Sequence, residues 1–222
     1  MHRSFENPLW ADFASALPDV AGTAMHMAAV DDHAAALLPE EVALGASMGK
    51  SRAREFATGR MCVHMAQECL DLPISPILRE HRAPVFPSAY RGAITHSTHI
   101  AAAVLSRVHR GVGLDLEIVG RVKPNLYASL FTPQEQQAWT RTSLPESLAA
   151  SLAFSAKEAG YKATHTIVGE FIAFADAEID IEADGRFSIR YIGTHSPNSV
   201  ANTGRGYWSV CDDHVLTAFF ID

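Results

Sequence analysis

Three carboxylates and two lysines concentrate in two short stretches of this 222-residue chain. They are Gly111-Val112-Gly113-Leu114-Asp115-Leu116-Glu117 and Phe154-Ser155-Ala156-Lys157-Glu158-Ala159-Gly160-Tyr161-Lys162-Ala163. The first alternates. Val112, Leu114, Leu116 and Ile118 fall on one face of a predicted strand, with Gly113, Asp115 and Glu117 on the other. Strand rise puts the two carboxylate-bearing Cα atoms roughly 6–7 Å apart on a shared face. The second stretch predicts a helix on which Glu158 and Lys162, at i and i+4, project together. Carboxylate oxygens are ligands for a hard cation, and lysines beside them suit an anionic, phosphate-bearing substrate. Gly111 and Gly113 predict a strand face left bare for a ligand's close approach. Taken singly, each pattern also describes ordinary surface: a half-exposed strand, or a Glu–Lys pair worth a few tenths of a kcal/mol.

The elements that would position these groups are legible on either side. A strand is expected over Ala24–Val30 and a helix start near Asp31–Glu41. A longer helix is expected from Ser51, ended by Asp71-Leu72-Pro73. Ala93–His96 and Ala101–Ser106 read as strands around Ser97-Thr98-His99. Residues 119–131 carry mixed loop and short-helix signals. Thr132-Pro133-Gln134-Glu135 is a helix start with Thr as N-cap, Pro at N1 and Glu at N3. A second long helix spans Pro145–Thr164, and strands follow at 171–174, 178–181, 187–192, 207–211 and 215–221, with a hairpin turn at Ala183-Asp184-Gly185-Arg186. Both halves place a long helix before strands. The fold class is therefore α+β, built of two similar subdomains over 1–110 and 111–222 with the active site expected at their interface.

Composition narrows the function classes. A hydrophobic fraction of 48% with 19% charged residues is that of a globular protein. A formal net charge of −7 argues against a nucleic-acid binder, although basic residues gather at 50–60 and 79–91. Cys62, Cys69 and Cys211 form no Cys-x-x-Cys and leave an odd count, which reads as reduced thiols in a cytoplasmic protein. No apolar run reaches membrane-spanning length and no signal-peptide order opens the chain. His96 and His99 have an H-x-x-H spacing, but on a strand–turn segment this does not define a zinc site. Asp212-Asp213-His214 reads as a hairpin turn, and Phe171, Phe174, Phe219 and Phe220 as core.

Five blocks in order now resemble a known family. They are Arg52-x-x-Glu55-Phe56-x-x-Gly59-Arg60, Arg82-Ala83-Pro84-Val85-Phe86-Pro87, Gly92-Ala93-Ile94-Thr95-His96, Gly113-Leu114-Asp115-Leu116-Glu117, and Phe154 through Ala163. The chain is similar to the 4′-phosphopantetheinyl transferases of the monomeric, pseudo-twofold kind, and within them to the enterobactin-synthetase branch. It departs mildly where the family often has Trp at Phe86 and Cys at Ser97. The segment 119–131 has no distinctive match.

The resemblance implies a holo-[carrier protein] synthase. Its donor substrate would be coenzyme A, its acceptor an apo carrier protein, and its metal Mg²⁺, with Mn²⁺ an alternative. Asp115, Glu117 and Glu158 would be the metal ligands. Glu158 would deprotonate the carrier serine, directly or through a metal-bound water, and Lys162 would stabilise the departing phosphate or give it a proton. Arg52, Arg60, Arg82, Thr95, His96 and Lys157 match positions that bind coenzyme A. The pathway implied is siderophore or other nonribosomal peptide or polyketide synthesis. A chain with two internal halves is expected to act as a monomer. Two other classes use the same residue types: a metal-dependent phosphoesterase, and a non-catalytic module binding coenzyme A or a carrier protein.

Overall fold

Alternating and helical patterns settle into two units, one holding Pro18–Val108 and the other His109–Asp222. The computed structural model describes residues 2–5, 17, 19–80, 83–169, 172–193 and 203–222. In the first unit, strand β1 (His2–Phe5) runs parallel to β2 (Thr23–Ala29). Helices α1 (Pro39–Gly45) and α2 (Lys50–Cys69) follow. A two-stranded ribbon comes next, β3 (Leu78–Glu80) with β4 (Ala83–Val85). Strands β5 (Arg91–His96) and β6 (Ile100–Ser106) complete a four-stranded sheet of order β1-β2-β6-β5. Helix α2 lies across this sheet, and Cys62, Val63 and Ala66 meet Ala24, Ala28, Ala103 and Leu105 in its core. Alanines on the strands let the helix sit close.

The second unit opens with β7 (Gly111–Ile118) and continues through α3 (Pro133–Trp139) and α4 (Glu146–Val168). Strands β8 (Ala177–Ile181), β9 (Arg186–Tyr191), β10 (Arg205–Cys211) and β11 (His214–Ile221) follow. The sheet is antiparallel throughout, in the order β7-β11-β10-β9-β8. Thr132 caps α3 as expected: its hydroxyl accepts from the Glu135 N–H while the Glu135 carboxylate accepts from the Thr132 N–H. Gly169, at φ +70°, closes α4 in the left-handed conformation. Gly185, at φ +88°, makes the expected β8–β9 turn. The strand expected over 171–174 is not formed: Phe171 is outside the described residues, and Phe174 starts a 3₁₀ turn, Phe174–Asp176.

Apolar clusters pack α4 in this unit. Ala156, Ala159 and Ala163 of α4 pack on Ile179, Phe187, Ile189 and Phe219. Val122, Tyr127, Phe131 and Trp139 pack on Ala149, Ala150 and Ala153. The cluster around Trp139 orders the ambiguous stretch 119–131, through a 3₁₀ turn (Pro124–Leu126) and a single α-turn (Tyr127–Leu130). No described helix is long and apolar enough to cross a membrane.

Candidate active site

The face of β7 that carries the carboxylates is covered, not bare. A Cβ at Gly113 would lie 1.7 Å from the carbonyl oxygen of Ala159, and one at Gly111 2.5 Å from that of Ala163. The glycines therefore admit the backbone of α4, where the sequence predicted room for a ligand. This close approach assembles the site. Lys162 Nζ donates to Asp115 Oδ1 at 2.7 Å and to the Leu114 carbonyl at 3.0 Å. Ser155 Oγ donates to Asp115 Oδ2 at 2.9 Å and lies 2.8 Å from Thr217 Oγ1. Thr217 stands opposite Asp115 in the β11–β7 register, so it shares that face. Ser155 and Thr217 were not singled out from sequence as partners of Asp115. Ser155 was in reach, one helical turn before Glu158, but Thr217 depends on a strand register that no local pattern gives.

Glu117 lies two residues further along β7. Its Oε2 is buried and takes no hydrogen bond, with Arg121 Nη1 at 4.0 Å. Burial, reinforced by the neighbouring Asp115 charge, pushes the Glu117 carboxyl up to about 7. Arg121 and Lys162 pull the other way, and Glu158 adds to the rise. Burial also raises the Glu158 carboxyl; Lys162 opposes this and Asp115 reinforces it. Asp115, Glu117 and Glu158 thus repel one another across one patch, with Lys162 and Arg121 as cations beside it. Among the described residues no three His, Cys, Asp or Glu side chains stand as a ready-made metal cage. The donor set nevertheless fits a hard divalent ion: it is all carboxylate oxygen, it carries excess negative charge, and one oxygen is buried without a hydrogen bond.

The first unit gathers a second cluster. Arg52 Nη1 lies 3.1 Å from Glu55 Oε2 and contacts His96 Nε2, while His96 Nδ1 is 3.5 Å from the same Glu55 oxygen. Arg52 and His96, distant in sequence, therefore meet at the surface, where Arg52 is half exposed. Glu55, at i+3 from Arg52 on α2, bridges them and was missed as a site residue, although its spacing offers the signal.

Other expected coenzyme A ligands are placed elsewhere. Arg60 is buried, stacked 4.5 Å over Phe56, with Nε donating to the Ile77 carbonyl and Glu41 Oε1 at 3.8 Å. Burial lowers its guanidinium to about 10; Glu41 opposes, and Arg52 and Arg79 reinforce the drop. These partners engage the Arg60 side chain inside the first unit. Thr95 is also buried, and as the neighbour of His96 on β5 it points to the opposite face. Lys157 is buried too, its ammonium held by Glu135 and two backbone carbonyls. Burial depresses its pKa and Glu135 offsets the loss. Arg82 is outside the described residues.

The profile of the 4′-phosphopantetheinyl transferase superfamily matches residues 111–218, and that of the 4′-phosphopantetheinyl transferase N-terminal domain matches residues 32–106. The 4′-phosphopantetheinyl transferase PptT of Mycobacterium tuberculosis is 33% identical over 199 residues, covering 83% of this chain and 86% of PptT. The transferase Svp of Streptomyces mobaraensis is 31% identical over 225 residues, covering 96% and 87%. Enterobactin synthase component D of Salmonella typhimurium is 28% identical over 171 residues, covering 77% and 73%. At these identities and coverages, with the carboxylate–lysine motif inside the matched region, the chain belongs to the 4′-phosphopantetheinyl transferase family.

Proposed function

We propose that the chain moves the 4′-phosphopantetheine group of coenzyme A onto a serine of an apo carrier protein, releasing holo carrier protein and 3′,5′-ADP. Family membership supports this reading. The observation that carries it is the patch on β7 and α4, where a buried Glu117 oxygen without a hydrogen bond stands beside Asp115, Glu158 and Lys162. The serine Oγ forms a bond to the β-phosphorus as the bond from that phosphorus to the oxygen shared with the α-phosphate breaks. The electron pair leaves on 3′,5′-ADP and the serine proton passes to a base.

In this reading Glu158 is that base. It is partly buried, and a carboxylate less well solvated than one at the surface accepts a proton more readily. Lys162, anchored by Leu114 and Asp115, holds positive charge where the leaving phosphate gains negative charge. A divalent cation, Mg²⁺ or Mn²⁺, would be held by Asp115, Glu117 and Glu158 and would neutralise the pyrophosphate. Arg52 and His96, with Arg82, are assigned to the nucleotide phosphates of coenzyme A. The reading further places the protein in the cytoplasm, as a monomer serving siderophore or other nonribosomal peptide or polyketide synthesis.

The test incubates the protein with coenzyme A, Mg²⁺ and a panel of apo carrier proteins, then takes the intact mass of each carrier. A phosphopantetheine adduct on a serine is expected, together with 3′,5′-ADP. Release of nucleotide without an adduct would point to a phosphoesterase. No reaction with any carrier would sink the proposal.

A further inference from the structure

Lys157 takes no part in the chemistry above, and its surroundings give it a different task. An ammonium has three protons, and all three have acceptors at 2.8 Å: Glu135 Oε2, the Leu130 carbonyl and the Phe174 carbonyl. None is left for a phosphate. Its partner is equally committed. Glu135 Oε1 accepts from the Ile179 N–H at 2.9 Å, and Oε2 accepts from the Thr132 N–H at 2.8 Å as well as from Lys157. Both side chains are 1% exposed. One ion pair thus ties α4 to α3, to the turn before it, to the 3₁₀ turn at Phe174 and to β8.

A buried pair of this kind is a poor source of net stability, because desolvation cancels most of the attraction. Its geometry suggests orientation instead. Lys157 and Glu158 are consecutive on a helix, about 100° apart around its axis, so fixing the azimuth of one fixes the other. Ser155 and Lys162 tie α4 to β7 on one side, and Lys157 holds it from another. We infer that the Lys157–Glu135 pair is a positioning device that sets the rotation of α4 and so aims Glu158 at its patch. The inference rests on the proposed transfer reaction.

The test uses Lys157→Met, Glu135→Gln and the double variant in the full chain. It measures kcat and KM for transfer, coenzyme A affinity by calorimetry without carrier, and the thermal midpoint. Because each single change leaves a buried partner unpaired, the double variant is the control that keeps the site neutral. Each single variant is expected to lose at least about 10-fold in kcat, with coenzyme A affinity within about 3-fold of wild type. The double variant is expected to be no slower than the slower single, the signature of two residues acting as one unit. If Lys157→Met alone weakens coenzyme A binding about 10-fold or more at unchanged kcat, Lys157 is a phosphate ligand and the inference fails. It fails equally if the midpoints drop while kcat per folded molecule stays unchanged, since the pair is then only structural. Wild-type protein that modifies no carrier would overturn the transfer reading itself, and this inference with it.

Discussion

Gly113→Ala is the sharpest perturbation available at the site. The added Cβ would sit 1.7 Å from the Ala159 carbonyl oxygen and 2.7 Å from its carbon, and real Cβ atoms essentially never come within 3.0 Å of such neighbours. The obstacle is helix backbone, not a side chain able to swing aside, so β7 and α4 must part by at least about 1.3 Å. Overpacking of this sort costs about 1–3 kcal/mol. The same displacement stretches the 2.9 Å bond from Ser155 to Asp115 beyond hydrogen-bonding range, because the short serine side chain cannot follow as Lys162 can. Losing a hydrogen bond to a carboxylate adds about 1.5–3 kcal/mol. The thermal midpoint is then expected to fall by roughly 10 °C or more. Transfer activity is expected to fall on the order of 10²-fold, the cost of an ångström-scale misplacement. The assay pairs scanning calorimetry with carrier modification followed by mass, below the midpoint of every variant. Gly49→Ala, where a Cβ meets nothing within 4 Å, serves as control and is expected to change little. A Gly113→Ala protein with an unchanged midpoint and near-normal turnover would refute the close-packing argument.

Glu117→Gln removes a buried carboxylate whose Oε2 lacks a hydrogen bond, so metal-free stability is expected to hold or rise. The midpoint increment given by Mg²⁺ with coenzyme A is expected to be largely lost, and an increment equal to wild type would show that Glu117 is not a ligand. Glu41 tests acid stability in the first unit. Burial works against its charge, but hydrogen bonds from His64, the Ile77 N–H and the Leu38 N–H hold its pKa below the usual value. A depressed folded pKa contributes stability that is full above the unfolded value, about 4.5, and lost as pH falls through the folded one. The stability gap between wild type and Glu41→Gln in urea is therefore expected to shrink below about pH 4.5; a constant gap from pH 7 to 3 would be the contrary result. Arg52→Ala or His96→Ala is expected to weaken coenzyme A binding about 10-fold by calorimetry, the loss of one contact to a charged group. Arg60→Ala is instead expected to lose about 2–3 kcal/mol of stability, and the opposite split between these residues would reverse their roles.

Much of this arrangement is legible in the sequence because it is written in local patterns. Period-2 alternation gives β7 and period-3.6 spacing gives α4, while Thr132 and Glu135 bracket α3 with a capping box. What fails has specific causes. A glycine on a strand signals that something approaches closely, but the pattern is the same for a ligand and for the backbone of α4. Lys157 reads as part of the Glu158–Lys162 group in the sequence alone. One residue along a helix is a turn of about 100°, which sends it to Glu135. Glu135 reads fully as a cap, and nothing local reveals that its capping oxygen also takes Lys157 of α4 or that its second oxygen reaches β8. The stretch 119–131 lacks any period because it folds as brief turns whose order comes from Val122, Tyr127 and Phe131 meeting Trp139.

The sheet order has a consequence for synthesis. Within the described sheet β7 pairs only with β11, Gly111 facing Ile221 and Glu117 facing Val215. The strand bearing Asp115 and Glu117 must wait for a partner made about a hundred residues later, roughly 5–20 s at ordinary elongation rates. During that interval Val112, Leu114 and Leu116, all buried in the finished fold, belong to an open strand edge that invites pairing with other chains. Nascent chains halted before β11 are therefore the form most in need of a chaperone, and a truncation that removes residues 214–221 takes out the strand beside the carboxylates.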